Sequence, residues 1–301
     1  MPGHPELALA AAPAAPARGA AQAGAGMGAL AHAGWPAPWR ILYGLYAWLQ
    51  FVLIALVTLS LLLLLPGSLE RRRRLAAAGA RLTLRLAGMR VRVGAGATSG
   101  TRSAAPVSGL PAPCVIVANH CSYLDGVLLA GMLPPHFSFV IKREMSAVPL
   151  AGMLLRRIGV EFMERRAQGS VLRDTRRVLR HAAGGQALVF FPEGTFSPRI
   201  GLLPFHIGAF ATATRARLPL VPLVIRGTRH CLPPGSPWPR PGRIEVQILP
   251  AIAPSAEGSG AAAILRERAR AALLAALGEP DLANLANPAA SAATPQAPPS
   301  E

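Results

Sequence analysis

The chain has 301 residues, of which 51% are hydrophobic and only 15% charged, against roughly 25% charged in an average soluble domain. That balance argues against a wholly water-exposed globular protein. Thirty-one Lys and Arg residues face 14 Asp and Glu, a formal charge of +17 that calls for an acidic partner such as nucleic acid, anionic lipid or an acidic carrier protein.

Residues 1–36 are Ala, Gly and Pro with few large apolar groups, too little apolar surface to offset ordering entropy. A disordered tail is expected there, without the short apolar core and early basic region of a cleaved leader. Residues 41–65 then run without a formal charge. As a helix they would be about 37 Å long at about 1.5 Å per residue, more than the roughly 30 Å hydrocarbon core of a bilayer. Tyr43, Tyr46 and Trp48 near the start suit the membrane interface, and Arg71 to Arg74 predict that the C-terminal side is cytoplasmic. Residues 37–67 are therefore expected to be a membrane anchor. It either spans or forms a re-entrant pair of shorter helices in one leaflet, and Gln50 and Thr58 tolerate both. Residues 75–89 read as a basic amphipathic helix suited to an anionic bilayer surface or, equally, as a solvated face over a core stripe.

Strand-like and helix-like segments alternate from there. Strands are expected at 91–93, 114–118, 137–141, 187–191, 220–225 and 244–248. Helices are expected at 126–133, 149–157, 171–183 with Ser170 as N-cap, 207–215 and 261–277. The alternation predicts an α/β fold, a central mostly buried sheet flanked by helices, preceded by the membrane-embedded segment. The catalytic domain is expected over 68–278 and a second disordered tail over 279–301. Three cysteines, Cys114, Cys121 and Cys231, are too few and too scattered for a disulfide framework or a zinc site.

Chemistry concentrates at two strand ends. Asn119-His120-Cys121-Ser122-Tyr123-Leu124-Asp125 follows an apolar strand, and α/β proteins place ligands at such ends. A histidine there can serve as general base toward a hydroxyl, with a carboxylate fixing its tautomer. Five residues along a continuous helix turn about 500°, leaving the two side chains about 140° apart. Pairing thus requires His120 on a turn and Asp125 in the first turn of the next helix. Taken alone, this spacing favours a structural His120. Phe191-Pro192-Glu193-Gly194-Thr195-Phe196-Ser197 leaves a second strand, and by itself could be a plain turn.

Together these blocks resemble the glycerophospholipid acyltransferase family, typified by 1-acylglycerol-3-phosphate acyltransferase. The resemblance rests on the Asn-His-x-Ser-x-x-Asp block with Asn119 and Ser122, and on Phe-Pro-Glu-Gly-Thr with Pro192. It also takes in a Gly-x-x-Phe-x-x-Arg block at Gly159, Phe162 and Arg165, and an apolar Val-Pro block at Pro222. It implies that His120 is the catalytic base and Asp125 its orienting partner, and that Arg165, Glu193, Gly194 and Thr195 bind the substrate. A planar guanidinium such as Arg165 suits a phosphate. Glu193 would accept a hydrogen bond from a glycerol hydroxyl or fix Arg165, and Lys142 and Arg143 would add charge or simply face solvent.

The implied reaction moves an acyl group from acyl-CoA or acyl carrier protein to the free hydroxyl of 1-acylglycerol 3-phosphate, giving phosphatidic acid. It needs no metal and no cofactor, and suits a membrane protein of a bacterial inner membrane with its catalytic domain on the cytoplasmic side. Phe196 stands where the family often carries Arg, and His206 where it often carries Lys. Both remove positive charge, which opens the alternative of a zwitterionic lysophospholipid or lyso-aminolipid acceptor. A Cys121 nucleophile, a non-catalytic membrane scaffold and a nucleic-acid binder are the rivals. The last lacks basic stripes interleaved with aromatics, so no nucleic-acid partner is expected.

Overall fold

The computed structural model describes residues 37–95, 107, 109–164, 168–254 and 260–285. The tail expected over 1–36 lies outside the described residues, as does 286–301 of the tail expected over 279–301.

Helix α1 (Ala37–Leu64) is one continuous helix of 28 residues, so no break divides it into a re-entrant pair. Pro66 cannot continue it, and Ser68 starts α2 (Leu69–Leu86) by accepting the Arg71 N–H at 3.3 Å. The two helices run antiparallel in contact. The Tyr43 hydroxyl donates to the Ala87 carbonyl at 2.6 Å, and the Gln50 amide donates to Thr83 at 3.4 Å. Further along, a Cβ at Gly79 would come within 2.6 Å of Thr58 Oγ1, and Leu62 packs with Ala76. Leu42, Leu45, Leu49, Leu53 and Leu56 on the other side of α1 stay exposed.

The remaining elements follow in chain order: β1 (Met89–Ala95), β2 (Val115–Ala118), α3 (Leu124–Met132), β3 (Phe137–Lys142), α4 (Ala151–Arg157), β4 (Glu161–Met163), α5 (Gln168–Ala183), β5 (Ala187–Phe190), α6 (Gly208–Arg215), β6 (Leu220–Arg226), α7 (Thr228–Cys231), β7 (Gly242–Ile248), α8 (Ala261–Leu277) and α9 (Leu282–Leu285). The strands form one sheet in the order β1-β7-β6-β2-β5-β3-β4, parallel throughout except between β6 and β7. Both faces are covered, which is why β2 is apolar at every position rather than alternating. Cys114, Ile116 and Ala118 pack on one face with residues of α2 and α3. Val115 and Val117 pack on the other with residues of α5, α6 and α8.

All six expected strands are present. The seventh, β4, escaped notice because three residues at a sheet edge carry no period of their own. Helix α5 begins at Gln168, two residues before Ser170, so Ser170 is inside the helix and is not its cap. The first residues of the tail expected over 279–301 are instead packed. Asp281 pairs with the buried Arg270, Leu282 is buried beside Gly201, and the short helix α9 runs on to Leu285. In the sheet β2 lies between β5 and β6, so the segments leaving the carboxyl ends of β2 and β5 emerge side by side, where α/β sheets bind ligands.

Candidate active site

His120 leaves β2 on a turn, and Asp125 lies in the first turn of α3, the arrangement the five-residue spacing demanded. His120 Nδ1 lies 2.8 Å from Asp125 Oδ2. That carboxylate is fully buried and also accepts the backbone N–H groups of Cys121 at 2.7 Å and Ser122 at 2.9 Å. Ser122 Oγ in turn accepts the Leu124 N–H at 3.2 Å, so Ser122 and Asp125 are tied together just ahead of α3. With Nδ1 facing a carboxylate, the imidazole carries its proton there and presents Nε2 as the basic nitrogen. The His120 side chain is 18% exposed.

Two strands brace this turn. Asn119 donates to the Ile225 carbonyl at 2.9 Å and accepts the Ile225 N–H at 2.7 Å, extending the β2–β6 ladder through a side chain. Ser122 Oγ also donates to the Leu232 carbonyl at 2.8 Å. From the β5 side, Glu193 Oε1 accepts the His120 N–H at 2.7 Å, while Oε2 accepts the Leu203 N–H at 2.8 Å. Burial pushes the Glu193 carboxyl up to about 7, partly opposed by these two backbone N–H groups and by Arg270. Each Glu193 oxygen thus holds one backbone N–H, one of them that of His120, so Glu193 helps to set the position of the histidine. Gly194 follows at φ 68, a left-handed value glycine adopts freely, and Thr195 is exposed. Pro192 is buried, its carbonyl accepting the His206 N–H at 2.9 Å.

The imidazole sits among aromatic rings. It stacks on Phe191 with centroids 4.3 Å apart and meets the edge of Phe196 at 4.7 Å, and Phe196 meets the exposed Tyr123. The residue that replaces an arginine of the family pattern is therefore in contact with His120. Cys121 points away from solvent, its sulfur 3.1 Å from Thr228 Oγ1, and burial pushes its thiol up to about 12. A thiol held in that form is no nucleophile.

The other blocks lie further off. Strand β4, with Phe162, is three strands from β2, about 14 Å at the usual strand spacing. The Phe162 carbonyl accepts Arg177 at 2.7 Å. Gly159 has φ 68 and lies under α2, where a Cβ would come within 2.9 Å of Leu69. Arg165 lies outside the described residues. Arg143 is 46% exposed and 3.7 Å from Glu164. Pro222 sits in β6 opposite Val117, and its carbonyl accepts the Leu249 N–H. Sequence reasoning missed the stacking Phe191, the buried Thr228 and the support from Leu203 and Arg270. Of these only Phe191 left a trace, as part of a quoted block. Among the described residues no cluster of His, Cys, Asp and Glu is placed to hold a metal.

Residues 105–226 match the family model described as Acyltransferase. Over 124 residues the chain is 35% identical to the chloroplastic 1-acyl-sn-glycerol-3-phosphate acyltransferase BAT2 of Brassica napus, covering 41% of this chain and 36% of that protein. Over 144 residues it is 33% identical to the human 1-acyl-sn-glycerol-3-phosphate acyltransferase beta, covering 46% and 51% respectively. The chain thus spans about half or less of the length of these relatives. The crystal structure of the 1-acyl-sn-glycerophosphate acyltransferase from Thermotoga maritima shares the fold, with a TM-score of 0.60 at 22% identity over 79% of this chain and 96% of that one. Residues 105–226, which contain the paired His120 and Asp125, are thus the part of this chain that is similar to the acyltransferase family.

Proposed function

We propose that the chain transfers a fatty acyl group from an acyl thioester, acyl-CoA or acyl carrier protein, to the free hydroxyl of 1-acylglycerol 3-phosphate, yielding phosphatidic acid at a membrane surface. The observation that carries this is the His120–Asp125 pair at the mouth of the sheet, with Nδ1 held at 2.8 Å by a buried carboxylate. His120 Nε2 takes the proton of the acceptor hydroxyl as its oxygen attacks the thioester carbonyl. Asp125 stabilises the imidazolium so formed. The tetrahedral intermediate collapses with cleavage of the C–S bond, and Nε2–H returns the proton to the leaving thiolate. The relatives named for 1-acyl-sn-glycerol-3-phosphate support the acceptor.

A second reading keeps the chemistry and changes the headgroup. Phe196 occupies the ring contact with His120 where a cationic side chain would bring charge, which favours a zwitterionic lysophospholipid or a lyso-aminolipid. One assay separates the two. Membranes bearing the protein are offered labelled thioester with lysophosphatidic acid beside zwitterionic and amino-acid lysolipids. Labelled phosphatidic acid as the main product is the expected result, and a different preferred lysolipid moves the assignment to the second reading. General-base removal costs about 10²–10⁴-fold in rate, so His120→Ala should lose that much while remaining folded, and Asp125→Asn a comparable amount. A His120→Ala protein within a few-fold of the parent would sink the mechanism.

A further inference from the structure

The loop that follows the Glu193 turn is gripped from its far side by α8 and the segment that follows it. Arg270 of α8, 6% exposed, donates to the carbonyls of Leu203 at 2.6 Å and Leu202 at 3.0 Å, and pairs with Asp281. The Leu202 N–H donates to the Pro280 carbonyl at 2.9 Å, and the Leu282 N–H returns to the Leu202 carbonyl at 3.0 Å. Glu279 accepts the Gly201 N–H at 3.1 Å and faces Arg229 of α7 at 3.4 Å. Gly201 has φ 136, and a Cβ there would lie 2.6 Å from both Leu282 and the Pro280 carbonyl, so the two segments lie in contact.

We infer that Arg270 and the segment from Glu279 to Leu282 are positioning residues for His120. They clamp Leu202 and Leu203, and the Leu203 N–H and the His120 N–H are held on the two oxygens of one carboxylate, Glu193. Glu279 reaches the catalytic turn by a second route. Its partner Arg229 follows Thr228, which contacts Cys121 next to the histidine. A segment that merely covered the core would need only apolar side chains. Burying a guanidinium is costly unless its donors are met, and here they are spent on the loop's own carbonyls and one carboxylate. That choice fixes the loop's backbone rather than its side chains.

The kinetic arm of the test rests on the transferase reading; the exchange arm does not. The full-length double variant Glu279→Gln, Asp281→Asn and the separate variant Arg270→Met are compared with the parent. Amide hydrogen exchange is read at His120, at Leu203 and, as reference, at Val117 and Val189 in β2 and β5. Protection at His120 and Leu203 should fall by about 10-fold or more, with the reference amides unchanged. kcat should fall about 10-fold as the base loses its placement, with KM for both substrates within about twofold. Unchanged protection at His120, an equal loss at Val117 and Val189, or a rise in KM at constant kcat would each overturn the inference. If the parent itself transfers no acyl group, the proposed function fails while the exchange measurement still decides the clamp.

Discussion

Asp125 and Glu193 are both buried carboxylates beside one histidine, and their surroundings give them different work. Asp125 Oδ2 gathers the His120 ring and two backbone N–H groups. Glu193 accepts backbone N–H groups alone and is pushed up to about 7 by burial. A carboxyl raised from 4.5 contributes stability that is fully present below about 4.5 and lost as pH climbs through about 7. Asp125 from α3 disfavours its ionisation and Arg270 from α8 favours it. The stability of the parent relative to Glu193→Gln should therefore fall between about pH 4.5 and 7 and level off above. Chemical denaturation of both proteins across that range reads this directly, and a pH-independent difference would refute it. The pairing of His120 with Asp125 was expected from the resemblance carried by the Asn-His-x-Ser-x-x-Asp block, which the five-residue spacing permits but does not by itself require. The role of Glu193 was not, because its partners are backbone groups that leave no residue type to read.

Elements were legible wherever both faces of a strand are buried, since β2, β5 and β6 then stand out as unbroken apolar runs. Junctions were not, and they carry much of the site. Between β6 and α7, Gly227 adopts φ 89, and a Cβ there would lie 2.1 Å from the Arg243 carbonyl of β7. The close approach is what lets Thr228 reach Cys121 while Asn119 holds Ile225. Gly227→Ala adds both left-handed strain and a backbone clash, and a cost of about 1–3 kcal/mol is expected from the strained conformation alone. Activity should fall with it, because the displaced junction borders the histidine turn. A thermal melt of Gly227→Ala unchanged from the parent would show that the junction yields without cost.

At the scale of the whole molecule, the long apolar helix of the N-terminal region meets a constraint that hydropathy does not record. A free helix of 28 residues can span a bilayer, but α1 is joined to α2 along its length, from Tyr43 against Ala87 to Leu62 against Ala76. Helix α2 carries Arg71 to Arg74, Arg81 and Arg85, and Arg73 and Arg81 bond carbonyls of the α/β domain. Threading α1 across the hydrocarbon would draw α2 with it, at about 2.5–3.5 kcal/mol for each arginine near the centre, or would strip the hairpin apart. Only 28% of the most apolar window of α1 is buried in the protein, so its leucine face still has apolar area to place in lipid. An amphipathic hairpin lying in one leaflet satisfies both demands. Single cysteines placed at Trp39 and Leu65, near the two ends of α1, should then react with a membrane-impermeant maleimide from the same side of sealed vesicles. Labelling of the two positions from opposite sides would mean that α1 leaves α2 and crosses the bilayer, and the hairpin contacts would then describe the protein only outside the membrane.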